Sequence, residues 1–207
     1  MTSAQRPVLV ALVATLGIVA GIPGGTVNAQ ESPLVLEVQG GAAVPLGDFA
    51  DGTDPGYGTT SGPTLAFTFV LPGDGWRALY AGFAQHRFGC QAAGCDAEGR
   101  YVATGFNVGV RIVPVNHGPV IPWVRLGAVT TRVETDDLAA SPSSSAYAGV
   151  SDLGFGGEAG VGVLVRLGRS IGWSATGLYT LVNTDLPGGS TLSMRYVAAQ
   201  TGFSLLF

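Results

Sequence analysis

The sequence has little charge and no lysine. Charged residues make up 12% of the 207 residues, about half of the usual quarter, and all 10 basic residues are arginine. With 14 acidic residues the net charge is -4, which excludes the basic surface typical of nucleic-acid binding. Disorder and coiled coil are also excluded, because the charge is low and 33 of the 207 residues are glycine, about twice the usual share.

Long hydrophobic runs are missing after the first 30 residues. No uncharged apolar run there reaches the about 20 residues that a membrane-spanning helix needs. The mean hydropathy is nevertheless +0.38, which is high for a soluble protein. A membrane protein of this composition would have to cross the bilayer as strands.

The N-terminus has the layout of a secretory signal peptide. A single arginine precedes 15 apolar or small residues at 8–22, and a Val-Asn-Ala sequence ends at Ala29. A membrane anchor fits less well, because the apolar run is short and is followed by Pro23. We expect residues 1–29 to be a cleaved signal peptide and residues 30–207 to form the exported domain.

Period-two alternation predicts eight strands, and no helical period competes with it. The expected strands are 34–44, 62–71, 76–88, 100–113, 121–133, 153–167, 171–182 and 194–207. Short connections alternate with long ones, which is the layout of an outer-membrane barrel with its short turns facing the periplasm. The predicted fold is an all-β, eight-stranded antiparallel up-and-down transmembrane β-barrel.

Each strand has one apolar face and one face of small or polar residues, and the few charges lie on the second face. Eight strands enclose just enough room for side chains, so these charges should fill the lumen and form a charge network. The seven residues predicted to point inward are Glu37, Arg77, Arg87, Arg111, Arg125, Glu158 and Arg166. Each acid should pair with an arginine, because a buried charge without a partner is costly. The lumen is therefore predicted to be plugged, not a wide pore.

The last eight residues, QTGFSLLF, resemble the C-terminal assembly signal of bacterial outer-membrane barrels. Gln200, Gly202, Leu205 and Phe207 occupy the positions of that pattern. Together with GGAAVPLGDF at 40–49 and IPWVRLGAV at 121–129, they make the exported chain similar to the small eight-stranded OmpA/OmpX-like barrel family. The resemblance implies the fold and an outer-membrane location, and it transfers no activity because activities in the family are diverse.

Aromatic residues are predicted at the membrane interface. The alternation of each strand should place four aromatic side chains on the outer surface, where amphipathic rings prefer to lie: Trp76, Trp173, Tyr80 and Tyr179. Trp123 falls on the same face as Arg125, so it either points inward or follows a bulge at Pro122.

Cysteine and histidine are too few for an evident reactive site. Four residues separate Cys90 from Cys95, and in an exported chain we expect the two cysteines to form a loop disulfide. His86 and His117 fall at opposite ends of the predicted barrel, and no spacing brings a serine, histidine and carboxylate together. We expect no cofactor, no metal site and no catalytic residue.

Three functions remain open from the sequence. The first is an integral outer-membrane barrel protein with a structural or surface-interaction role. Its partners would be outer-membrane lipid, lipopolysaccharide and, through the last strand, the barrel-assembly machinery; we expect a monomer. The second is a barrel enzyme acting on lipid, and the third is a secreted lipocalin-like carrier with an apolar cavity and a polar exterior.

Overall fold

A computed structural model describes residues 34–51, 58–73, 75–90, 100–115, 117–136, 150–185 and 191–207. The signal peptide expected at 1–29 and the cysteine at position 95 lie outside these residues. Cleavage after Ala29 and the Cys90–Cys95 disulfide therefore stay predictions.

Eight long strands form one sheet. They are β1 (Val35–Leu46), β2 (Gly62–Pro72), β3 (Arg77–Cys90), β4 (Arg100–Ile112), β5 (Val120–Asp136), β6 (Gly154–Arg166), β7 (Ile171–Asp185) and β8 (Thr191–Leu206). A 3₁₀ turn, Gly47–Phe49, follows β1, and the short segment Thr59–Thr60 pairs with the end of β3. Within the described residues, no helix is long and apolar enough to cross a membrane.

Every strand pairs antiparallel with its sequence neighbours, and the last strand returns to the first. The result is a closed eight-stranded barrel, as predicted. One end carries the short connections at 73–76, 113–119 and 167–170; we call it the turn end and the opposite one the loop end.

The seam between β1 and β8 closes the barrel. It pairs twelve residues of β1, from Val35 opposite Leu206 to Leu46 opposite Arg195. Gly202 lies opposite Gln39, and a Cβ at this position would collide with the carbonyl oxygen of Val38. Glycine therefore lets the two backbones approach closely enough for the sheet to close, which leaves no open edge of unpaired backbone groups.

The outer surface is covered by large apolar side chains, which we call the apolar belt. It includes Val38, Leu65, Phe67, Phe69, Leu79, Val108, Val110, Val124, Leu126, Phe155, Val161, Trp173, Tyr179, Val197, Phe203 and Leu205. Soluble monomers rarely expose a contiguous apolar surface of this extent. The charged pairs lie inside, which is the reverse of the lipocalin arrangement.

The predicted orientation of β3 was wrong. Arg77 and Arg87 are exposed on the outer face, whereas Tyr80 is 1% exposed and lies inside. The ten steps along the chain from Arg77 to Arg87 span about 26 Å of height at about 3.4 Å per residue and a tilt of about 40°. This is close to the height of a barrel's apolar band, about 25 Å, so each long side chain can reach water beyond one edge of the belt.

Replacing Gly202 with alanine should destabilise the barrel by about 1–3 kcal/mol, because the added methyl group must push β8 away from Val38. Gly40 on β1 is the matched control, since a Cβ there has only the carbonyl oxygen of Thr64, at 3.8 Å, within reach. Urea unfolding of protein refolded in detergent micelles measures both variants. Equal stabilities for Gly202→Ala and Gly40→Ala would contradict the tight seam.

Candidate functional site in the barrel lumen

The centre of the lumen is built around Tyr80. Its ring crosses from β3 toward β4 and β5, where glycines at 109 and 127 leave room for it. A Cβ at Gly127 would collide with the Tyr80 hydroxyl group, and one at Gly109 would lie 2.7 Å from it. These glycines explain why the inner face of β3 is the one with the large side chains.

Glu37 and Arg111 form a buried two-pronged ion pair. Arg111 Nη1 and Nη2 donate to Glu37 Oε1 and Oε2 at 2.9 and 2.7 Å. Glu37 is 0% exposed and Arg111 is 2% exposed, so water cannot screen the pair. The parallel geometry makes this one of the stronger kinds of charge-assisted contact.

A second ion pair joins β5 to β6. Arg125 Nε lies 3.1 Å from Glu158 Oε1, although its N–H does not point along a good hydrogen bond. Glu158 is held instead by the Tyr80 hydroxyl group, which donates to Oε1 at 2.7 Å, and by Asn107 Nδ2, which donates to Oε2 at 3.2 Å. Neutral donors thus supply the directional bonds while Arg125 supplies the opposite charge.

Trp123 connects the two pairs. Its ring lies 4.0 Å from the guanidinium carbon of Arg111 and 6.0 Å from that of Arg125. The Arg125 carbon also lies 4.9 Å from the Tyr80 ring. Trp123 points inward and β5 pairs with β6 without a bulge at Pro122. We call this set the central ion cluster: Glu37, Arg111, Arg125, Glu158, Tyr80, Asn107 and Trp123.

Apolar side chains fill the lumen toward the loop end. The core of this loop-end cluster is Phe49, Phe88, Tyr101, Leu192, Met194 and Tyr196. Phe49 comes from the 3₁₀ turn after β1 and is 0% exposed, with its ring edge-on to Phe88 at 5.1 Å. Phe49 therefore closes the lumen at the loop end. Its position could not be predicted from strand alternation, because it lies outside the strands.

His86 lies between the two clusters. Its Nδ1 atom lies 2.8 Å from Thr64 Oγ1, and its ring lies 4.8 Å from that of Tyr196. Thr64 also accepts from Gln200 Nε2 at 2.9 Å. These contacts give His86 a packing and hydrogen-bonding role, and none of them supplies the carboxylate that would orient a catalytic base.

A cavity of about 70 Å³ lies beneath the central ion cluster at the turn end. We call it the turn-end cavity. Its apolar lining includes Val35, Val70, Ala78, Ile121, Leu164 and Leu206. Its polar lining is Arg77, Arg111, Arg166 and Trp123.

The predicted lumenal charges separate into three groups. Glu37, Arg111, Arg125 and Glu158 meet in the central ion cluster. Arg166 points inward beside the cavity, and the two ion pairs among the described residues do not include it. Arg77 lies over the Trp76 ring, at 4.4 Å, and Arg87 lies within 3.5 Å of Gln85, so neither joins the network as predicted.

The predicted interface aromatics divide in the same way. Trp76, Trp173 and Tyr179 are exposed, at 49%, 38% and 43%. Tyr80 was wrongly placed among them, because its parity follows the inverted face of β3.

In the C-terminal strand the side chains alternate along the barrel wall. Gln200 points inward to Thr64, whereas Phe203, Leu205 and Phe207 are exposed on the outer face. Their role as an assembly signal stays a prediction.

Cys90 and His117 lie at opposite ends of the barrel. Cys90 is the last residue of β3 and packs against the loop-end cluster. His117 is exposed in a turn-end connection. Among the described residues, no three histidine, cysteine or acidic side chains are grouped so that they could hold a metal ion.

Two crystal structures of bacterial surface proteins are similar to this barrel. Neisserial surface protein A (NspA) matches with a TM-score of 0.52 and 11% identity, over 84% of this chain and 97% of that chain. The outer membrane protein OprG from Pseudomonas aeruginosa matches with a TM-score of 0.54 and 15% identity, over 84% and 96%. This chain has the fold of the small outer-membrane barrels. No protein-family model and no curated protein sequence matches it.

Replacing Arg111 with leucine should destabilise the barrel by about 3–5 kcal/mol, because Glu37 then stays buried without its partner. The double variant Glu37→Leu/Arg111→Leu should recover part of that loss, since no unpaired charge remains.

Arg87→Leu is the matched control for this measurement, because Arg87 is exposed on the outer face. It should change the free energy of unfolding by no more than about 0.5 kcal/mol. Urea unfolding in micelles, followed by tryptophan fluorescence, compares the variants. A small effect of Arg111→Leu, similar to that of Arg87→Leu, would mean that the ion pair is not a structural element.

Proposed function

We propose that this protein is an integral outer-membrane barrel with a structural or surface-interaction role, whose lumen is plugged by its own side chains. The observation that carries the proposal is the inverted polarity of the closed sheet. Its ion pairs lie inside and its exposed exterior is the apolar belt. Hydrocarbon can surround such an exterior at no desolvation cost, whereas water cannot.

The loop end supports a role at the cell surface. Seven of the eight strands have 12 to 17 residues, more than the about 9–11 that a tilted transmembrane strand needs. Among the described strand residues, five of the six exposed charges on the outer faces lie toward the loop end, with Arg77 as the exception; these five are Arg87, Arg100, Glu134, Asp185 and Arg195. The strands therefore extend the barrel wall beyond the apolar belt at the loop end, which supports contact of this end with lipopolysaccharide or other surface components.

The lumen supports a scaffold rather than a channel. Three consecutive layers obstruct a path along the axis: the loop-end cluster, the hydrogen-bonded His86 with Thr64, and the central ion cluster. Phe49, Phe88, Tyr80 and Tyr196 are each at most 2% exposed, which supports a lumen without a continuous water column. Eight-stranded barrels commonly have such a filled interior.

In a Gram-negative host, the expressed protein should fractionate with the outer membrane. Its band should migrate differently before and after boiling, because a closed barrel resists unfolding by detergent until it is heated. N-terminal sequencing of the membrane-inserted form should begin at Gln30 if the signal peptide is cleaved after Ala29. A soluble product with unchanged mobility would refute the membrane assignment.

The purified barrel should produce no steady ion conductance in a planar lipid bilayer, because side chains obstruct the lumen. A sixteen-stranded porin, whose barrel encloses an aqueous channel, serves as the positive control in the same bilayer. Stable open steps from the wild-type protein would contradict a plugged lumen and leave the outer-membrane location intact.

A further inference from the structure

Three buried donor atoms of residues that line the turn-end cavity have no hydrogen-bond partner among the described residues. Arg111 and Trp123 line it and are both 2% exposed. Arg111 Nε and Trp123 Nε1 are buried and have no hydrogen-bond partner among the described residues. Arg166 Nε, at the same cavity, is likewise buried without a partner. Each buried donor without an acceptor costs about 1–3 kcal/mol of stability. Several such donors around one cavity therefore indicate that the cavity takes up an acceptor.

The charge around the cavity is positive. Glu37 neutralises Arg111 through the ion pair described above. Arg166 also lines the cavity and takes part in no ion pair with a described acid, whereas the side chain of Arg77 is exposed on the outer face. The described residues therefore leave the inward-pointing Arg166 uncompensated at this end of the barrel, and an anion is the occupant that would balance it.

The size of the cavity limits the anion. A cavity of about 150 Å³ lined by apolar residues can hold benzene, with its six carbon atoms. The 70 Å³ here has room for about half as many, which fits a carboxylate group with the rest of its molecule toward the open mouth. A phosphate group fits less well, because the apolar wall of Val35, Ile121 and Leu164 would leave some of its oxygens without donors.

We propose that the turn-end cavity is a binding site for the carboxylate group of a small organic acid, with Arg166 and the unpartnered donors of Arg111 and Trp123 as its ligands. In the proposed orientation the cavity opens to the periplasm, so the acid would be a soluble periplasmic one. Its short aliphatic part would contact the apolar wall. The site needs only the closed barrel, so it can be tested in detergent micelles whatever the cellular location is.

The probe is butyrate, titrated at constant ionic strength into barrel labelled with ¹⁵N at tryptophan. The indole signal of Trp123, assigned with Trp123→Phe, should shift and saturate because its N–H gains an acceptor. Butyramide, which has nearly the same shape and no charge, should produce no saturating shift. Inorganic phosphate should bind more weakly than butyrate; stronger binding of phosphate would overturn the carboxylate assignment.

Two substitutions at the same end of the barrel separate a built site from general charge attraction. Arg166→Gln should weaken butyrate binding about tenfold or more, because a charge-assisted hydrogen bond is lost. Arg169→Gln is the matched control, since Arg169 is exposed in the adjoining turn and does not line the cavity. Equal effects of the two substitutions would overturn the proposal.

A third variant tests the cavity without removing a charge. Ala78 is 7% exposed and lines the cavity, so Ala78→Leu should fill it and abolish the saturating shift. The heat-dependent gel mobility of each variant reports whether the barrel has folded. Asp74 lies in a turn-end connection outside the described residues, and Asp74→Asn is therefore included. Binding that occurs only in Asp74→Asn would mean that the protein's own carboxylate occupies the site, which would refute an external ligand.

Discussion

A closed sheet of eight strands leaves a lumen only as wide as the side chains that fill it, and the rest of the structure depends on this limit. A large residue on one strand requires a small one on the strands that it faces. Tyr80 meets this condition through Gly109 and Gly127, and its hydroxyl group then reaches Glu158. The same ring lies against Arg125. The fit of Tyr80 against two glycines therefore positions both partners of the Arg125–Glu158 ion pair.

Much of the fold could be predicted from the sequence because alternation is clear on most strands. On β1 the inner residues Glu37 and Gln39 alternate with the apolar outer residues Leu36 and Val38, and on β6 Glu158 is the one acid among glycines. Strand number, closure and the inward position of five charges all follow from such patterns. The connections also carry the signal, since their lengths alternate along the whole chain.

The prediction failed on β3 because that strand has polar and aromatic residues on both faces. Arginines occupy positions 77 and 87, while Tyr80, His86 and Phe88 occupy the other face. Alternation alone cannot choose between them. The deciding partners, Gly109 and Gly127, become neighbours of Tyr80 only through the pairing register of three strands, and a register cannot be read from one strand. The insertion of Phe49 and the turn-end cavity depend on three-dimensional packing in the same way.

The Glu37–Arg111 pair connects the first strand to the fourth, across 74 residues of sequence. In a flat sheet these side chains would lie three strands apart, so they meet only when the sheet has curled. Until then both charges stay hydrated, and burying either one alone would be costly. Curling of the sheet and neutralisation of its inner charges are therefore coupled. A sheet that had not yet closed would therefore expose a hydrophilic face, which would oppose its transfer into hydrocarbon until the seam forms.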